Sequence, residues 1–156
     1  MRIHILTVCQ KVPTWIEEGY REYQKRLPRD LELIVKEIKP QTRGARISTD
    51  KIKEEEAKKI LEVIPGKARV IVMDERGKAL STQEWADRLS GWQLDFPEVA
   101  FVIGGSEGLS DKIRQRADEI WALSKMTFPH ALVRVLIAEQ IYRAWTVLQG
   151  HPYHRE

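Results

Sequence analysis

His130 stands directly behind a proline, in the stretch LSKMTFPHALVR at residues 123–134, where a loop gives way to an apolar helix. A neutral imidazole at such a junction can orient or deprotonate a substrate. Arg134 lies four residues on and shares the face of His130 if both are helical. Two polar groups then sit on one face of an otherwise apolar helix. A second cluster is the tail HPYHRE, residues 151–156, which brings Tyr153, His154 and Arg155 together. A tyrosine ring can stack on a base, and a guanidinium can bind phosphate or a base edge. A third piece is the glycine turn GGSEG at residues 104–108, where the missing Cβ atoms of Gly104 and Gly105 let backbone N–H groups approach a ligand. We expect these three pieces to meet in one active site.

Each piece alone also has a plain structural explanation. GGSEG by itself reads as a tight turn. A lone histidine is more often a structural hydrogen-bonder than a catalyst, and terminal residues often fray. Met73, placed at the end of a strand beside the glycine turn, has a soft side chain suited to packing on an adenine ring or a thioether, and equally suited to a core. There is no GxGxxG fingerprint. His151 and His154 form only a weak pair, so no metal site is expected.

The elements that must position these residues follow from periodicity. Short apolar, β-branched runs at 3–9, 31–38, 68–73, 99–103 and 119–123 read as strands. Helices are expected over 14–26, 48–64, 81–89 and 110–117, with a long final helix after Pro129. Thr14 with Glu17, and Ser81 with Glu84, match capping boxes; Ser48, Thr49 or Asp50 and then Ser110 open the other two helices. Ile52, Ile60, Leu61 and Ile64 form an apolar stripe. DERGK at 74–78 reads as a turn, and KPQTRGARI at 39–47 as a basic loop carrying Lys39, Arg43 and Arg46. Strands alternating with helices imply an α/β fold with a mainly parallel sheet flanked by helices. Residues 1–156 contain no linker long enough to divide them, so one domain is expected. The last helix is apolar almost all round, so a second copy of the chain is expected to cover the face the core does not use.

Composition sets limits. With 26 Lys+Arg against 23 Asp+Glu, the net charge is +3, which does not by itself demand a nucleic-acid partner. The single cysteine, Cys9, forms no internal disulfide and fits a reducing cytosol. The first residues are too polar for a signal peptide, and charges interrupt residues 131–148, so no membrane span is expected.

Together, IGGSEGLS, LSKMTFPHALVRVLIAEQIYRAW and HPYHRE closely resemble the RlmH family, SPOUT-class methyltransferases of pseudouridine N3 in 23S ribosomal RNA. QKVPTWIEEGYREYQKRLP extends the resemblance to the start of the chain. It implies a homodimer through the C-terminal helix, a C-terminal trefoil knot, S-adenosyl-L-methionine as methyl donor, no metal, a cytoplasmic location, and the assembled ribosome as substrate. Knots are rare, and chain physics alone would not suggest one. By motif match, Met73, Gly104, Gly105, Leu123, Ser124, Lys125, Met126, Thr127 and Phe128 would bind the cofactor; His130, Tyr153, His154 and Arg155 would be catalytic. The basic loop, with Arg114 and Arg116, would hold RNA. A non-catalytic RNA-binding protein using the same loop and tail remains the main alternative; a nucleotide-dependent oxidoreductase is disfavoured by the absent fingerprint.

Overall fold

Alternation of side chains along the strands divides the core into two layers. In β1 (Arg2–Val8), Ile3 and Ile5 face one side of the sheet, while Leu6 and Val8 face the other. β2 (Glu32–Ile38), β3 (Arg69–Ala79), β4 (Glu98–Ile103) and β5 (Glu119–Ala122) complete a five-stranded sheet in the order β2-β1-β4-β3-β5, with every pairing parallel. This computed structural model describes residues 1–42, 44 and 46–155. Arg43 of the expected basic loop lies outside the described residues.

Among the described residues, five helices cover both faces, as a parallel sheet requires. α1 (Thr14–Gln24), α3 (Thr82–Asp95) and α5 (His130–Gln149) pack together on one side. α2 (Thr49–Val63) and α4 (Asp111–Arg116) pack together on the other. A 3-10 turn, Pro152–Arg155, ends the described chain. Under α3, Trp85 stacks on Phe101 at 5.5 Å and Trp92 stacks on Trp121 at 5.5 Å. Such contacts contribute about 0.5–1.5 kcal/mol each beyond area burial. They fix β5 at the sheet edge, where Trp121 is 1% exposed.

Several boundaries and caps differ from expectation. The Ser81–Glu84 capping box forms, and Ser48 caps α2 by accepting the Lys51 N–H. Thr14 caps nothing: Pro13 occupies the cap position of α1, its fixed φ already suited to a helix start. Ser110 occupies the cap of α4 without a side-chain hydrogen bond. Leu61 is exposed, and the buried stripe of α2 runs through Ile52, Glu56, Ala57 and Ile60. α3 continues six residues beyond Leu89, carrying Trp92 into the core. The largest correction concerns DERGK. It is not a turn but part of β3, which therefore does not end at Met73. β3 pairs with Trp121 at Met73 and again at Lys78, so the residues between bulge outward. Gly77 permits this, because a Cβ there would sit 2.7 Å from the Trp121 carbonyl carbon.

Candidate active site

The β3 bulge, the glycine turn and the loop before α5 enclose a cleft of about 470 Å³. Met73, Trp121, Leu123 and Phe128 supply apolar lining, and Gly104 and Gly105 bring backbone to its edge. The close approach is demanding: a Cβ on Gly104 would lie 2.7 Å from Leu109 Cγ, and one on Gly105 would lie 3.1 Å from Val8 Cγ1. Gly108, at φ +82°, closes the turn by donating its N–H to the Gly105 carbonyl at 3.0 Å. The loop is fastened at two points. Ser124 Oγ accepts the Met126 N–H at 2.9 Å, and Thr127 Oγ1 donates to Glu75 Oε2 at 2.7 Å. Ser124, Met126 and Thr127 line the cleft; Lys125 is exposed and does not.

Asp74 organises the rim. Its carboxylate accepts from Arg114 at 2.9 and 3.1 Å and from the Arg76 N–H at 2.9 Å. Burial works against its ionisation, but these donors prevail and hold the carboxyl below its ordinary value. This rim was invisible while residues 74–78 read as a turn; the available signal was the unbroken β-type run leading into it.

A second groove, of about 1000 Å³, adjoins the cleft. Residues 10–13 and 39–42 form its walls. Gly105, Ser106 and His130 border both cavities, so the exposed imidazole sits at their junction. This position suits a group that acts between two bound molecules.

Arg134 does not share that role, contrary to expectation. It is 0% exposed, with Nη1 donating to Glu37 Oε1 at 2.8 Å and Nη2 to Cys9 Sγ at 2.9 Å. It ties α5 to the ends of β1 and β2. Burial raises the pKa of the Cys9 thiol despite the nearby guanidinium, so it stays protonated at neutral pH. Arg116 is also engaged, pairing with Asp118 at 3.7 Å. With Arg114 held by Asp74, neither arginine is an uncommitted RNA contact.

The tail does not join the cleft within one chain. Tyr153 donates its hydroxyl to Glu139 Oε1 at 3.1 Å and meets Tyr142 edge-on at 4.7 Å. Arg143 lies 4.9 Å from the Tyr153 ring centroid and donates to the same Glu139 oxygen. His154 is half-buried and Arg155 exposed in the same turn. Glu139 and Arg143 are nine and thirteen residues from His130, or about 14–20 Å along the helix. Burial, a Tyr23 hydrogen bond and the Glu139 carboxylate push the Tyr153 pKa well up, leaving a hydroxyl that donates rather than abstracts protons. Glu139 and Arg143 were missed as tail-binding residues, although their spacing of four was a usable signal.

A family model described as "Predicted SPOUT methyltransferase" matches residues 1–154. The chain belongs to the SPOUT methyltransferase family. Two curated relatives carry the name "Ribosomal RNA large subunit methyltransferase H". The one from Hydrogenovibrio crunogenus is 49% identical, and the one from Thioalkalivibrio sulfidiphilus 47% identical, with both chains fully covered in each case. A probable methylase family protein from Haemophilus influenzae superposes with a TM-score of 0.59 at 11% identity, covering 97% of this chain and 69% of that one. That likeness concerns fold alone. Among the described residues of this SPOUT methyltransferase, no group of three or more His, Cys, Asp or Glu is placed to hold a metal ion. No described helix is long and apolar enough to cross a membrane.

Proposed function

We propose that this chain methylates N3 of a pseudouridine in 23S ribosomal RNA, using S-adenosyl-L-methionine, on the assembled ribosome in the cytoplasm. The names of its relatives support ribosomal RNA of the large subunit as substrate. The observation that carries the reading is the meeting of two cavities at His130. Residues 1–156 would act as one domain, with the family's C-terminal trefoil knot.

The cleft suits the cofactor. Its volume falls in the usual range for small-molecule sites. Its glycine turn, packed closely on Leu109 and Val8, brings backbone to the cleft edge, and its apolar lining matches an adenine ring. Met73, Gly104, Gly105, Leu123, Ser124, Met126, Thr127 and Phe128 would hold it, with Lys125 at the loop surface. S-adenosylmethionine supplies an electrophilic sulfonium methyl when bound. His130 orients the acceptor imide or takes its N3 proton, because the neutral imide is a poor nucleophile. Placement of the reactants is the larger contribution.

The tail enters the site from a second copy. Leu132 and Leu136 are half-buried on α5 and belong to neither core cluster, which supports a covering partner. A twofold pairing centred near the middle of α5 would set the end of one helix opposite His130 of the other. Tyr153, His154 and Arg155 of the partner subunit would then face the acceptor, with the arginine stabilising charge on the base carbonyls.

Mass spectrometry of ribosomal RNA from cells with and without this protein tests the assignment. We expect the N3-methyl on pseudouridine to disappear with the gene and return with purified enzyme and S-adenosylmethionine. Retention of the methyl, with no second enzyme able to add it, refutes the assignment.

A further inference from the structure

We infer that the groove bounded by residues 10–13, 39–42 and 105–107 receives the acceptor RNA strand. Lys11 and Lys39 are its phosphate contacts, and Glu56 is the positioning residue that fixes its wall. This deepens the function proposed above and rests on it for the identity of the RNA.

The candidate cations divide by whether they are already occupied. Arg114, Arg116 and Arg134 all have carboxylate partners. Lys11 and Lys39 are exposed, border the groove, and have no ion pair with any described residue. The carboxylates on the same groove are, by contrast, engaged. Glu37 accepts from Arg134 at 2.8 Å, Glu56 accepts the Gln41 N–H at 3.0 Å, and Glu107 has a partner of its own. Lys11 and Lys39 are thus cations of the groove without a carboxylate partner among the described residues, and His130 borders the same groove. Two uncommitted lysines on the groove that His130 borders suit the phosphates of an RNA strand.

The wall that presents Lys39 is held at two points on α2. Lys59 Nζ donates to the Lys39 carbonyl at 3.1 Å, and Glu56 Oε2 accepts the Gln41 N–H. Glu56 is 6% exposed. Its other oxygen faces the glycine turn, 3.3 Å from where a Gly105 Cβ would be. One buried carboxylate thus holds the loop and lies against the turn. It sets the spacing between the phosphate contacts and the junction at His130 without itself touching the acceptor.

The test measures binding of unmethylated ribosomes across a salt series without methyl donor. Lys11→Ala and Lys39→Ala should each reduce the slope of log K against log salt by about 0.7–0.9. In turnover, each should raise KM for ribosomes with kcat within about twofold. Calorimetry should show unchanged cofactor affinity. Lys67→Ala, in the turn before β3, should change none of these values. Glu56→Ala should raise KM and speed amide exchange at residues 39–42. Glu56→Gln, which keeps an oxygen acceptor, should restore both. Gln41→Pro, which deletes the donated N–H without touching α2, should reproduce Glu56→Ala. Unchanged salt slopes in both lysine variants overturn the inference, as does weakened self-association in sedimentation, which would assign the groove to a second copy. Protected exchange at 39–42 in Glu56→Ala overturns the role of Glu56. Failure of the wild type to methylate would instead refute the proposed function, since the salt slope is read without chemistry.

Discussion

The Arg134–Glu37 pair gives an asymmetric prediction. Arg134 is 0% exposed, whereas the Glu37 side chain is 45% exposed. Arg134→Met keeps most of the buried volume and leaves a carboxylate that water can still solvate. A charge-assisted hydrogen bond and the contacts with Cys9 and the Tyr20 ring are lost, at a cost of about 1–3 kcal/mol, with no charge stranded in the interior. Glu37→Ala removes the more exposed residue, yet strands a guanidinium whose remaining partners are a thiol and the Tyr20 ring at 5.9 Å. Orphaning a buried charge costs about 3–5 kcal/mol, and the partial hydration at Glu37 reduces this to about 2–3 kcal/mol. The more exposed partner should therefore be the more damaging one to lose. Urea denaturation of both variants and the double variant checks this. The double variant should be no worse than Arg134→Met, because no charge is left stranded. Cofactor affinity should survive in Arg134→Met. The reasoning fails if Glu37→Ala costs less than Arg134→Met.

Four further outcomes are expected. His130→Ala should slow turnover by about 10²–10⁴-fold with cofactor affinity within about twofold by calorimetry; loss of cofactor binding would make His130 a structural residue. Gly104→Ala places a Cβ 2.7 Å from Leu109 and should weaken cofactor binding by at least about tenfold while costing about 1–3 kcal/mol in denaturation. Removing residues 153–156 should spare folding and abolish turnover, and co-expression with His130→Ala should restore activity in mixed dimers; no complementation would exclude a tail acting across the dimer. The lowered pKa of Asp74 means its stabilisation is complete above about pH 4 and is lost as pH falls through the folded value. Asp74→Asn should therefore be less stable than wild type at pH 7, with the gap in denaturant midpoints closing as pH falls below about 4.

Strand–helix alternation was legible in the sequence because strand runs such as Val99–Ile103 are apolar on both faces and the caps Ser48 and Ser81 are chemically explicit. The glycine turn and residues 123–128 were legible as partners, and the structure brings all of the loop but Lys125 to one cleft with the turn. What escaped depended on tertiary context. Residues 74–78 carry turn chemistry, but re-pairing with Trp121 overrides it. Arg134 lies at helical spacing from His130, yet its side chain runs inward to Glu37. The tail was read as reaching the site from the other subunit, and within its own chain it docks on Glu139, two turns or more from His130. Six residues span at most about 20 Å, less than the roughly 28 Å back along α5 to His130, so within one chain the two cannot meet.

The strand order also governs when the protein can fold. Arg2 pairs with Glu98, so the centre of the sheet joins the first strand to one made much later. Until β4 is available, β1 and β3 each present an unpaired edge, and Ile3, Ile5, Val70 and Ile71 lack their central neighbour. Parallel pairing offers no hairpin shortcut, and such non-local closure is slow. During synthesis, therefore, the chain must carry open edges for most of its length. The lysine- and glutamate-rich surface of α2, which emerges in that interval, is suited to keeping the incomplete chain soluble.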